Sequence, residues 1–202
     1  MARYPARGKV KTRLAAGIGK AAALRVYRRL LDQHLREFAR GAAAGFDVEW
    51  RFTPARAPFR RLARNSKPQP TGDLGDRMGA IFADSFGRGY RRVVMIGTDA
   101  PMMNRATVRQ AFRHLRTKRA VFQPTDDGGY ALIGLAEMID VFSGMPWSSS
   151  RLMSETRKRV PGVELPGTFD IDTAGDLARF VTARHARGRS AWSALRRWCP
   201  SR

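Results

Sequence analysis

Arg91-Arg-Val-Val-Met-Ile-Gly-Thr-Asp-Ala-Pro101 decides how this chain is read. Val93 to Ile96 are four consecutive apolar residues without polar alternation, and Gly97 ends the run. Such a run is expected to be a strand buried on both faces, in the middle of a parallel sheet under helices. A small hydroxyl, a carboxylate and Pro101 follow, and proline cannot continue the strand. In open α/β sheets ligands lie outside the carboxyl ends of the strands, so Asp99 stands where a site would be built. A helix cap or a closed turn accounts for Asp99 equally well.

The pattern extends in both directions. Downstream, Asn104 suits the cap of a helix carrying Val108, Ala111, Phe112 and Leu115, and a short strand over 120–123 ends at Pro124. Asp126-Asp127-Gly128-Gly129 then leads into a strand over 130–135. Glycines there allow close approach of backbone to a ligand or a positive φ; a tight Asp-Gly hairpin turn is the structural alternative. Upstream, Thr71 to Met78 opens a helix with Leu74, Met78, Ile81 and Phe82 on one side, and Asp73 and Asp76 suit its start. Phe46, Val48, Trp50 and Phe52 alternate with polar residues, which predicts a strand with one wet face near the sheet edge. The stretch 65–71, with two prolines, reads as loop.

Nearer the amino end, an apolar stripe through Leu24, Tyr27, Leu31 and Phe38 predicts a helix over about 20–40, with His34 packed on it. Pro5 to Leu14 reads as a loop holding Lys9, Lys11 and Arg13, able to bring N–H groups and cations onto a diphosphate. Toward the carboxyl end, Pro146-Trp147-Ser148 precedes a helix running to about Arg159, with Ser148 as its cap, and 163–165 is a short strand. Thr173 with Asp176 forms a capping box, which leaves Asp170 and Asp172 without a structural explanation. Leu177, Phe180 and Val181 are buried by a last helix.

Composition bounds the function. At 202 residues the chain fits one domain, which we assign to 1–187, with a basic tail over 188–202. The net charge of +21 suits a partner that is anionic. That charge is spread along the chain with no interleaved aromatic motif, so a solvated basic surface is favoured over a nucleic-acid partner. Trp192, Leu195 and Trp198 in the tail would pack on the body or touch a membrane surface. One cysteine, Cys199, excludes an internal disulfide. Without a signal peptide or an apolar run of about 20 residues, a soluble cytoplasmic protein is expected.

Strands alternating with helices imply an α/β fold with a single doubly wound, mainly parallel sheet. Carboxylates at the ends of several elements are expected on one rim, where they could hold Mg²⁺ or Mn²⁺ against phosphate oxygens. Lys11 and Arg13 would neutralise a leaving diphosphate, which points to a nucleotide-activated substrate.

Six motifs occur in order: Pro5-x-x-Gly8-x-Val10-Lys11-Thr12-Arg13-Leu14, Leu74-Gly75-x-Arg77-Met78, Gly97-Thr98-Asp99-Ala100-Pro101, Asp126-Asp127-Gly128-Gly129-Tyr130, Pro146-Trp147-Ser148 and Asp170-x-Asp172-Thr173-x-x-Asp176-Leu177. Together they resemble the small bacterial GT-A-type glycosyltransferases associated with radical-SAM and selenium domains, of the nucleotide-diphospho-sugar transferase superfamily. That family is similar in fold to molybdenum-cofactor and phospholactate guanylyltransferases. The resemblance implies a Rossmann-like GT-A fold acting on a nucleotide-sugar donor and a small-molecule acceptor. It places Gly8, Lys11 and Arg13 on the donor phosphates and makes Asp99 and Asp172 metal ligands. It makes Asp127, with Asp126, the catalytic carboxylates, Asp127 being the general base of an inverting transfer. Thr98, Gly128, Gly129, Tyr130 and Trp147 would contact substrate. Members begin with a hydrophobic strand; only Met1–Tyr4 precede Pro5 here, so either the true start lies upstream of Met1 or the sheet has lost most of its first strand, and the chain as given is expected to be poorly stable. Two other readings stay open: nucleotidyl transfer from a nucleoside triphosphate, and a basic binding protein on a degenerate scaffold.

Overall fold

The structure, a computed structural model, describes residues 1–39 and 45–185. Its elements are β1 (Ala2–Arg3), α1 (Thr12–Ile18), α2 (Lys20–Phe38), β2 (Trp50–Thr53), a 3-10 turn (Phe59–Arg61), β3 (Ser66–Pro68), α3 (Leu74–Gly87), β4 (Val93–Ile96), α4 (Arg105–His114), β5 (Ala120–Pro124), β6 (Tyr130–Leu135), α5 (Leu152–Arg159), β7 (Val163–Glu164) and α6 (Ala174–His185). Trp192, Leu195 and Trp198, expected to pack on the body or touch a membrane surface, lie outside the described residues.

The strands form two ladders, β1-β2-β3 and β4-β6-β5-β7, and every neighbouring pair except those made by β6 is parallel. The Met1 amine joins them by donating to the Ile96 carbonyl at 2.6 Å. The expected mainly parallel sheet is thus present in two segments, with the order across the molecule reversing between β1 and β4. Period two in the strands sends side chains to opposite faces. Val121 and Leu132 pack in one cluster with residues of α2 and α4; Ala120, Phe122, Ile133 and Leu135 pack in another with residues of α3 and α5. Helices on both faces make the sheet doubly wound. A third cluster seats α1 and α6 against the far side of α2 through Leu14, Leu30 and Phe180.

Local chemistry explains most element ends. Asp73 accepts from the Asp76 N–H and Asp76 from the Asp73 N–H, a reciprocal cap for α3. Asn104 accepts from the Thr107 N–H at the start of α4. His34 is packed, with Nδ1 donating to the Leu30 carbonyl.

Several expectations are corrected. β2 lies between β1 and β3 rather than at an edge, and it starts at Trp50. Its supposed wet face is covered, because Arg51 is buried between Glu49 and Asp84 of α3. The stretch read as loop contains β3, and the amino-terminal loop runs into α1. Ser148 has a φ of 62° and caps nothing; α5 starts at Leu152.

The strand 93–96 is not buried on both faces: Met95 is buried, whereas Val93, Val94 and Ile96 are only half-buried. The cause lies beside it. β1 is two residues long, paired as Ala2 with Phe52 and Arg3 with Thr53. Neighbouring strands lie about 4.8 Å apart, and residues 1–3 bridge from β2 to β4, so the gap there is one strand wide. Beyond Met1, β2 and β4 face each other across a slot of ≈ 1350 Å³ lined by Phe38, Trp50, Ile81, Val94, Val108 and Phe112 among others. Among the described residues no strand pairs with β4 on its side away from β6.

Candidate active site

The reversal of strand order between β1 and β4 is where an open α/β sheet offers a crevice at its carboxyl ends. β1 runs there into the loop that ends at Lys11, and β4 runs into Gly97-Thr98-Asp99. The segment 170–172 is drawn to the same place, since the Ile171 N–H donates to the Asp99 carbonyl at 3.1 Å. The Thr173–Asp176 capping box then fixes the direction of that segment, with the Asp172 and Thr173 N–H groups both donating to Asp176.

Lys11 has the left-handed backbone φ of 50° and ψ of 51°, which costs a non-glycine residue about 1–2 kcal/mol unless its surroundings hold it. What holds it is its ammonium. Nζ lies 2.6 Å from Asp99 Oδ1 and 2.8 Å from Asp172 Oδ1, with the side chain 3 % exposed. Burial works against the charge, but the two carboxylates outweigh it and raise the Lys11 pKa above the ordinary lysine value. Arg13, exposed, pairs with the other oxygen of Asp172.

These groups line a cleft of ≈ 440 Å³, with Thr98, Tyr130 and Trp147 on its walls. Trp147 reaches it by lying across α3 at Gly75, where a Cβ would sit 2.4 Å from Nε1. Asp170 also lines the cleft, and its Oδ1 is buried without a hydrogen-bond partner. Burial first, then the Asp99 carboxylate, push its pKa up to about 7. Tyr130 Oη is likewise buried and unpartnered, and burial raises its pKa.

Other expected site residues lie elsewhere. Asp126, Asp127, Gly128 and Gly129 form the hairpin turn between β5 and β6, and none of them lines the cleft. Asp127 accepts from Thr125 Oγ1 at 2.6 Å and from the Gly129 N–H at 3.2 Å, so its carboxylate is spent on closing its own turn. Asp126 pairs with Arg179 on α6 at the surface. Gly128, with φ of 84°, approaches backbone and not ligand: a Cβ there would lie 2.1 Å from the Ser150 carbonyl oxygen. Gly8 sits in the preceding loop beside Lys20, off the cleft.

The donor set bears on a divalent ion. No three His, Cys, Asp or Glu side chains cluster closely enough to hold a metal among the described residues. Magnesium sites, however, often use one or two carboxylates together with substrate phosphates. Asp99 and Asp172 present one oxygen each to a common point, and the orphaned Asp170 carboxyl lies beside them, so the residues fit such an ion. Lys11 Nζ stands at that point.

The profile of a family described as "Uncharacterized protein conserved in bacteria (DUF2064)" matches residues 39–149. The chain belongs to that family. The match runs from before β2 to the turn ahead of α5, so it takes in Asp99 and Tyr130 but neither Lys11 nor Asp172. Similarity over the whole fold comes from a crystal structure of a "putative nucleotide-diphospho-sugar transferase" of Desulfovibrio desulfuricans G20. It is 30% identical, with a TM-score of 0.82, covering 96% of this chain and 90% of that one. No curated protein matches the chain. Membership of the nucleotide-diphospho-sugar transferase superfamily follows from fold and family together.

For this DUF2064 member the sequence left two cleft residues without a role. Arg77, one turn into α3, lines the cleft while its Nε donates to the Gly72 carbonyl at 2.8 Å. It stood in the Leu74-Gly75-x-Arg77-Met78 motif, and its distance from the other motifs hid its position. Asp170 carried a signal: Asp170-Ile-Asp172 in an extended stretch puts both carboxylates on the face opposite the fully buried Ile171.

Proposed function

We propose that this protein is a glycosyltransferase that moves a sugar from a nucleotide-diphosphate donor to a small-molecule acceptor with Mg²⁺ or Mn²⁺ bound by Asp99 and Asp172. The observation that carries the reading is the Lys11–Asp99–Asp172 constellation at the switch point of a fold shared with the "putative nucleotide-diphospho-sugar transferase" of Desulfovibrio desulfuricans G20. The finer resemblance, to the GT-A enzymes associated with radical-SAM and selenium domains, rests on the six motifs, each of which sends at least one residue into the cleft.

When bound, the ion would neutralise charge on the leaving diphosphate. The chain's own cations do the rest: Lys11, Arg13 and Arg77 surround the place where the diphosphate would lie and stabilise the charge that develops there. Trp147 and Tyr130 supply walls against which a base or sugar ring stacks and from which water is excluded. An inverting transfer needs a carboxylate to take the acceptor proton. Asp127 is turned away into its hairpin, whereas Asp170 lies on the cleft with its pKa near neutrality, where a general base works best.

Thermal shift against UDP-, GDP- and dTDP-sugars, GTP and CTP, each with and without Mn²⁺, tests the reading, because ligands that bind the native state raise its apparent stability. The expected result is a metal-dependent rise with one nucleotide-sugar. A rise confined to a nucleoside triphosphate, followed by pyrophosphate release, would replace sugar transfer by nucleotidyl transfer. Salt-sensitive retention on DNA or RNA with no nucleotide effect would remove the enzyme reading altogether.

A further inference from the structure

The cleft holds an ammonium at the point where its carboxylates would hold a metal. Lys11 Nζ is within 2.8 Å of one oxygen of Asp99 and one of Asp172, and Arg13 pairs with the remaining oxygen of Asp172. Two carboxylates facing two cations are already neutral. A divalent ion entering beside Lys11 would be repelled by a buried ammonium a few ångströms away. Asp99 is nevertheless open to solvent, with 44 % of its side chain exposed, so an ion can approach from outside while Lys11 is enclosed behind it.

We propose that Lys11 is a resident counter-ion that gates the metal position: a divalent ion enters only as the Lys11 ammonium leaves the two carboxylates, and the donor diphosphate is the anion that takes the released ammonium. The inference rests on the metal-dependent reading of the cleft and adds an order of events to it. Metal alone binds weakly, because its entry takes both carboxylate partners away from Lys11. Metal and diphosphate bind together strongly, because the ammonium exchanges one anion for another. The two ligands are then coupled through Lys11, and linkage requires each to raise the affinity of the other by the same factor. In the absence of ligands the same bridge neutralises three buried or half-buried charges, which keeps the loop after β1 in place.

The experiment is a Mn²⁺ titration followed by electron paramagnetic resonance of the free ion, on the wild-type chain and on Lys11→Met, each with and without UDP. Lys11→Met is expected to bind Mn²⁺ alone at least about tenfold more tightly than wild type, since the competing charge is gone and the side-chain volume is kept. UDP should raise Mn²⁺ affinity strongly in wild type and much less in the variant. Equal affinities for the two proteins, with Mn²⁺ bound by both, would overturn the gate and leave the metal reading standing. No binding by either protein, with UDP present, would overturn both. Should Lys11→Met fail to fold, labelling of wild-type lysines by an amine reagent decides the matter by mass spectrometry. Lys11 is expected to be protected without metal and to react when Mn²⁺ alone is added to saturation. Continued protection with Mn²⁺ bound would sink the proposal.

Discussion

The same two strands, β2 and β4, flank two very different spaces. At their carboxyl ends residues 1–3 bridge them, and the crevice above is a polar cleft in which carboxylates and cations from distant segments neutralise one another. Beyond Met1 the strands face each other across a slot with apolar walls and a charged rim, three times the volume of the cleft, and among the described residues no strand lies between them. The cleft keeps its order because its parts are tied by charge, capping and the backbone bond from Ile171 to Asp99. Two residues of β1 suffice to space its walls. The slot has apolar walls with a charged rim that includes Glu49, Arg51, Arg88 and Arg92, and among the described residues the edge of β4 that faces it is unpaired. The geometry of the cleft and the stability of the sheet are therefore separable in this fold.

The contrast can be tested. The largest effect is expected from Asp99→Ala, which removes one of the carboxylates that hold Lys11. Transfer activity should fall by about a hundredfold or more, and the Mn²⁺-dependent nucleotide stabilisation should vanish; unchanged metal-dependent donor binding would take Asp99 out of the site. Gly128→Ala comes next. It forces a Cβ into the Ser150 backbone at a positive φ, and a loss of about 2–4 kcal/mol is expected by chemical denaturation. A stable Gly128→Ala protein would show that the hairpin has another arrangement.

A smaller change of opposite sign is expected in the slot. Fusing about four apolar residues before Met1, in line with β1, should cover Val94, Ile96 and Trp50. It should add about 1–2 kcal/mol, or roughly 2–8 °C in Tm for a chain of this size. No rise in Tm would mean that the slot closes by itself in solution.

The smallest effects separate the two regions by pH. Asp170 in the cleft is raised from 3.8 to about 7, so between those values the folded state binds more protons than the unfolded one and stability falls as pH rises. The Met1 amine at the slot is lowered by burial from 8.0 to about 6, so between 6 and 8 the folded state binds fewer protons and stability rises with pH. Asp170→Asn should flatten the fall between about pH 4 and 7 in urea titrations, and the apolar fusion should flatten the rise between about pH 6 and 8. Curves parallel to wild type in both would refute these assignments.

What the sequence determined by itself is local. The capping boxes at Asp73–Asp76 and Thr173–Asp176, the Asn104 cap and the apolar runs of β5 and β6 rest on contacts a few residues apart, and spacing reveals them directly. The doubly wound class followed because alternating strands and helices have few ways to bury their faces. Short elements escaped: β3 is three residues ending in proline, and α1 is seven residues with only Leu14 buried, so neither carries a periodic pattern long enough to read. Only the tertiary structure decided the roles of the carboxylates, which look alike along the chain. Asp127 turned inward because Thr125 and Gly129 lie two residues away, whereas Asp172 meets an ammonium 161 positions distant. A side chain's chemistry is set by what surrounds it, and for Lys11 those neighbours arrive only when β1, β4 and the approach to α6 are brought to one end of the sheet.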